Sequence, residues 1–376
     1  MILEIVLSSL LFGVPNFENI IDNSVQKTFE FSEKIKNKKI VSEYHKNIQK
    51  FANHKKYPKD TQFVLLAFDG SYSLDMWQRT LDFAEKMKLQ KKPVRFTYFI
   101  SGVYFVPEAL KNVYDLDGYR TGHSDIGWGD DIDDITKRFA FVNDAYKFGH
   151  EIGSHANGHF NGSNWTQKQW EQEFEYFNNF IFLEDKNFQK ELKNKKAGVI
   201  FPKSEITGFR APLLGHNNAM FKALKNYGFT YETNKVFMQN RMVEKGDKNH
   251  NGDIWNFPLY GVNIAGRNTI AMDYNLYYLQ TKAKSILKFG TQGWKKAHDN
   301  VLKGYLNYFY NHYNNSENLE DVKFKAPVTI GHHFSLWNDA LYWVVMKDFA
   351  KEVCGKEKVV CGTGQEYEAF LESWGK

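Results

Sequence analysis

Short unbroken apolar runs alternate with longer segments whose apolar residues recur at helical spacing along most of this chain. The run Gln62-Phe-Val-Leu-Leu-Ala-Phe68 is bounded by Lys59-Asp60 on one side and Asp69-Gly70-Ser71 on the other. This pattern predicts a strand buried on both faces. A helix follows over about Leu74 to Lys88, then a second strand over Val94 to Ile100. The Gly- and Asp-rich segment from Val103 to Asp134 is too long for an ordinary connection and predicts a functional loop over the strand ends. A helix from about Ile135 to Phe148 leads to a third strand at Glu151-Ile-Gly-Ser154. Another, roughly Thr166 to Lys193, precedes Ile206-Thr-Gly-Phe-Arg-Ala-Pro212. Further strands are predicted around Thr230 to Glu232, Trp255 to Leu259, Thr269 to Met272 and Val328 to His332. The alternation predicts an α/β barrel, whose active site lies at the C-terminal ends of the strands.

The segment before this pattern differs from it. Met1 to Val14 is mostly apolar, which resembles the apolar part of a secretory signal, but it lacks a basic start and contains Glu4. It is too short to span a bilayer, so an exported protein is expected, with an apolar element packed on the domain as the alternative. Phe17 to Lys56 is Lys- and Glu-rich with helical spacing. The division expected is therefore an apolar and helical extension over residues 1–57 and a barrel over 58–376.

Composition excludes some classes of function. The 376 residues carry a net charge of +5, with local basic clusters at Lys34 to Lys39 and Lys193 to Lys196, so no nucleic-acid partner is expected. Aromatic residues make up 16 % of the chain, more than a core requires, and surplus Trp and Tyr line grooves where sugars stack. Cys354 and Cys361 are the only cysteines, leaving one bridge or two buried thiols as alternatives.

The chemistry concentrates at strand ends. His155 and His159 lie one helical turn apart in sequence, and Asp69 is delivered from the first strand. Two imidazoles and a carboxylate are the ligands of a divalent-metal site with an open position, where a bound water ionises near neutral pH and attacks a carbonyl. A backbone N–H near Ser71 or Tyr72 would help hold the oxyanion, and a protonated histidine must serve the leaving amine. If Asp69 is a ligand, the base must come from Asp75, Asp125 or the Asp130 to Asp134 cluster.

In order along the chain, Phe68-Asp69-Gly70, Gly153-Ser-His155-Ala-Asn-Gly-His159, Phe209-Arg210-Ala-Pro212 and Ile330-Gly-His332 resemble the motifs of polysaccharide deacetylases of the NodB-homology type, carbohydrate esterase family 4. The resemblance covers roughly Thr61 to Phe349. It implies a distorted (β/α) barrel and a metal-dependent hydrolase, usually with zinc, that removes N-acetyl groups from a chitin-like glycan or peptidoglycan. His155 and His159 would be metal ligands, Arg210 would orient the catalytic carboxylate, and His332, with His333 as the second claimant, would be the general acid. Trp255 would lie on a groove wall. The family has two adjacent acids in its first motif, whereas this chain has Asp69-Gly70, so Asp69 is either base or metal ligand.

Two rival functions are an amide hydrolase for a small nitrogen compound and a non-catalytic glycan-binding protein. A second metal signal, Asp247-Lys-Asn249-His-Asn251-Gly252-Asp253, matches half of a calcium loop but has Pro258 where the bidentate Glu belongs, so an Asn-Gly turn is the favoured reading. The same holds for Asp115-Leu-Asp117-Gly118.

Overall fold

The computed structural model describes residues 34, 36–53, 55–184, 192, 197–238, 254–314 and 324–374. Met1 to Val14, the Lys193 to Lys196 cluster and the Asp247 to Asp253 motif lie outside the described residues. The chain divides into two compact units, Met1–His45 and Lys46–Lys376. A helix passes through residues 36–49 (α1). The division falls earlier than residue 57 because Phe51 and Tyr57 pack into the core of the second unit.

That core is built on strand β1 (Gln62–Gly70), buried almost throughout. Successive side chains of a strand point to opposite faces. Phe63, Leu65 and Ala67 face inward with Phe257, Tyr367 and Phe370, while Phe68 faces outward against Phe96, Phe334 and Trp343. Burying each of these large side chains stabilises the fold by about 1.5–3 kcal/mol. Helix α2 (Leu74–Leu89) starts where the Ser73 side chain accepts from the Met76 N–H. The chain then runs through β2 (Thr97–Ile100), α3 (Ile132–Lys147), β3 (Glu151–Ser154), α4 (Gln167–Phe182), β4 (Gly208–Phe209), α5 (Asn218–Asn226) and β5 (Tyr231–Glu232). Helix α4 begins at a capping box of Thr166 and Gln169.

Strands β6 (Val236–Phe237) and β7 (Trp255–Asn256) follow, and then the β8 (Leu259–Ile264) to β9 (Arg267–Ile270) hairpin. Helices α6 (Asp273–Thr281) and α7 (Gln292–Tyr313) precede β10 (Val328–His333), and α8 (Trp337–Val353), β11 (Val359–Gly362) and α9 (Gly364–Trp374) complete the chain. The main sheet is parallel, in the order β10-β1-β2-β3-β4-β5-β7, with β11 alongside the start of β1. It curls into an incomplete barrel, and a bridge between Met272 and Gly331 ties its open side. A separate three-stranded sheet has the order β6-β8-β9.

The predicted strand over Trp255 to Leu259 divides at Phe257-Pro258 between β7 and β8. Trp255 is not a groove wall. It belongs to the barrel core and donates its indole N–H to Glu372 at 2.9 Å. No described helix is long and apolar enough to cross a membrane.

Cys354 and Cys361 form a disulfide that joins the end of α8 to β11. In the loop-entropy account a bridge across so short a loop stabilises by about 2.5 kcal/mol. The Cys354→Ser/Cys361→Ser variant is expected to unfold in denaturant with a free energy lower by about that amount, and an unchanged midpoint would show that β11 docks without the bridge.

Candidate active site

Strand register brings the reactive side chains together. Asp69, at the end of β1, pairs in register with His333 of β10, while Phe68 pairs with His332. Asp69 and His333 therefore share one face of the sheet, and His332 lies on the other. His332 accordingly is buried and hydrogen-bonded to the Tyr305 hydroxyl of α7 at 2.9 Å. Burial, resisted by Asp273, pushes its pKa down to about 4. The residue read as general acid from the sequence thus faces a helix, and its neighbour faces the site.

Asp69 is buried, and its Oδ1 accepts from Arg210 Nη1 at 2.8 Å. Arg210 also donates from Nε to Thr233 Oγ1 at 2.6 Å, and its guanidinium lies 4.5 Å from the centre of the Phe99 ring. Its carbonyl oxygen accepts from His155 Nδ1 at 2.7 Å, which fixes the tautomer and leaves Nε2 with its lone pair. Burial pushes the His155 pKa down to about 3, so this ring is neutral. His159 lies with its ring centre 5.3 Å from that of His155, and burial, then the charge of His333, lowers its pKa too.

The loop carrying these imidazoles is pinned from α4. The buried Glu173 carboxylate accepts from the N–H groups of Asn157 at 2.9 Å and Gly158 at 3.3 Å, and from the Tyr114 hydroxyl at 2.7 Å. Ala156 and His159 have φ of 54° and 62°, a left-handed conformation that persists where surrounding contacts over-determine it.

Opposite Asp69, the buried Asp273 accepts from His333 Nδ1 at 2.6 Å and from the His333 N–H at 3.0 Å. Burial would lower the His333 pKa, but the Asp273 charge outweighs it and holds the imidazole above its ordinary value. Burial likewise opposes ionisation of Asp273, but His333 and then His332 hold its carboxyl below the ordinary range. Sequence reasoning missed both Glu173 and Asp273. Glu173 could have been noticed as a lone acid on the buried aromatic face of a helix; Asp273 carries no local signal.

The other acids are occupied. Asp75 pairs with Arg79, Asp130 accepts from Tyr72, and Asp131 caps α3. Asp134 pairs with Lys137, and Asp125 lies in a surface loop with His123. Asp115 accepts from Thr121 and Asp117 from Lys168, so that stretch is a surface loop stitched to α4. Ser71 is buried with φ of 91°, and the Tyr72 carbonyl oxygen accepts from the buried Arg138, so the turn after β1 is held firmly.

These residues do not complete the metal site that the sequence predicts. His155 offers a nitrogen, Asp69 gives its Oδ1 to Arg210, and residue 70 is a glycine with φ of 103°, where an aspartate would be strained. No group of three His, Cys, Asp or Glu side chains able to hold a metal occurs among the described residues.

No protein-family model matches the chain, and no curated protein sequence does. Among solved structures, a provisionally assigned polysaccharide deacetylase from Mycobacterium smegmatis aligns over 84 % of this chain and 92 % of its own, with 15 % identity and a TM-score of 0.50. A family 4 carbohydrate esterase from Streptomyces lividans, in complex with acetate, aligns over 82 % and 95 %, with 12 % identity and a TM-score of 0.39. The CE4 domain of a multidomain xylanase from the hindgut metagenome of Trinervitermes trinervoides aligns over 83 % and 91 %, with 12 % identity and a TM-score of 0.38. The likeness to the mycobacterial protein establishes the fold, a distorted (β/α) barrel of the polysaccharide deacetylase type.

Two outcomes follow from this geometry. Arg210→Leu leaves Asp69 buried without its partner and is expected to cost about 3–5 kcal/mol in denaturant unfolding, against a smaller loss for Asp69→Asn. Zinc titration of the purified protein is expected to show no tight one-to-one complex. Stoichiometric zinc that disappears in Asp69→Asn would overturn the reading of Asp69 as bound to Arg210 alone.

Proposed function

We propose that this chain is a hydrolase that removes N-acetyl groups from an amino-sugar polymer, a chitin-like glycan or peptidoglycan. The observation that carries the reading is the pairing of two held groups, Asp69 by Arg210 and His333 by Asp273, on adjacent strand ends in register.

Amide hydrolysis needs a base for water and an acid for the leaving nitrogen. Asp69 takes a proton from water as its oxygen attacks the acetamide carbonyl. His333, tied to Asp273 through Nδ1, donates its Nε2 proton to the amine as the C–N bond breaks. Acetate and a free amine result, and the proton on Asp69 returns the pair to its starting state through solvent. Arg210 aims Asp69 through its Nη1–Oδ1 hydrogen bond.

Exposed aromatic rings beside His333 support a polymeric sugar as substrate. Tyr274 is 48 % exposed, with its ring centre 6.4 Å from that of His333 and 5.6 Å from Trp337. Tyr72, 41 % exposed, follows β1. Flat rings of this kind stack on the apolar faces of sugars. The disulfide in a chain with two cysteines supports an exported protein. The incomplete metal-ligand set favours one rival, a glycan-binding protein without catalysis.

Acetate release from N-acetylglucosamine oligomers and from peptidoglycan tests the proposal. Release is expected, falling about 10²–10⁴-fold in Asp69→Asn and in His333→Gln. No release from either substrate, with binding retained, would sink catalysis in favour of the binding protein.

The pH dependence separates the two histidines. His333 must be protonated to donate, so activity falls as pH rises through its raised pKa. Asp273→Asn removes the charge that holds that pKa up, and the alkaline limb is expected to move to lower pH. Asp273 raises His332 as well, so the single variants make the assignment: the limb is expected to be lost in His333→Gln and kept in His332→Gln, and the reverse would return the role to His332.

A further inference from the structure

A cavity of about 940 Å³ opens at the end of the barrel opposite the candidate site. Val94 and Arg95, which precede β2, and His150, which precedes β3, line it, whereas Asp69 and His333 sit where their strands end. The volume falls in the range of small-molecule sites, about 300–1,000 Å³.

Its lining has two kinds of surface. Leu81, Ala84, Val94 and Val360 make an apolar floor. One wall is the pair Phe51 and Tyr57, stacked with ring centres 4.8 Å apart. Beside the apolar part, Leu89 and Phe148 reach the rim and are 78 % and 56 % exposed, large apolar side chains left in water.

The charge lining the cavity is positive. Lys50, Lys88, Lys91 and Arg95 face two carboxylates, Glu85 and Glu366. Glu366 is already committed, accepting from Arg95 Nε at 2.6 Å and from the Thr363 N–H at 3.0 Å. The positive field reaches the buried His150, where burial first, then Arg95 and Lys88, push the pKa down to about 3.

We propose that this cavity binds an amphipathic anion, with an acyl chain on the apolar floor and a carboxylate among Lys50, Lys88 and Lys91. An apolar body alone would leave the lysines without a role in binding, and a bare anion would leave the floor empty. The charge and the apolar surface are complementary to one ligand that carries both.

Calorimetric titration of the full chain with dodecanoate below its micelle concentration tests this, with dodecyl maltoside and inorganic phosphate as comparison ligands. Saturable binding of one dodecanoate per chain is expected, with neither comparison ligand matching it. Lys88→Glu/Lys91→Glu, at exposed positions, is expected to weaken it by about tenfold or more with an unchanged melting temperature. No saturable dodecanoate binding, equal affinity for dodecyl maltoside or phosphate, or affinity untouched by the charge reversal would each overturn the proposal.

Discussion

The candidate site depends on the buried ion pair between Asp69 and Arg210. A carboxylate taken out of water is costly unless it is paired and hydrogen-bonded, and Arg210 meets that demand while making three further ties, to Thr233, to the face of Phe99 and, through its carbonyl, to His155. Space for the guanidinium comes from Gly331, where a Cβ would lie 2.7 Å from Arg210 Nη1. One arginine thus fixes the direction of the carboxylate, the tautomer of an imidazole and the residue type allowed at position 331 of β10.

The two sides of the candidate site are built by the same rule. The ionisable groups of the candidate site are held by second groups buried behind them: Asp69 by Arg210, His333 by Asp273, and the loop of His155 and His159 by Glu173. Such backing holds each group in one orientation.

Much of this was legible in the sequence because it rests on local pattern. The continuous apolar run of β1 and the helix signals from Leu74 marked the barrel, whereas the segment over Val103 to Asp134 holds two short 3₁₀ turns and the start of α3. Asp69, His155 and Arg210 stand at strand ends where the alternation placed them. What failed depends on facing and on distant contacts. Neighbours such as His332 and His333 point to opposite sides of a strand, and no local pattern says which faces inward. Asp273 has a role only because β10 comes to lie beside the start of α6, and Trp255 reads as a groove residue until α9 is seen packing on it. Gly70 was visible where a second acid was expected, but the left-handed turn out of β1 that favours glycine there was not.

Strand β1 is far in sequence from two of its neighbours, β10 and β11, with Val64 paired to Val328 and to Cys361. Pairings so distant in sequence form slowly, since the loop must close before any contact rewards it. Asp69 on β1 and His333 on β10 therefore meet only once this distant pairing has formed. Until that pairing forms the two side chains are held apart, so assembly of the candidate site and closure of the sheet arrive in one step.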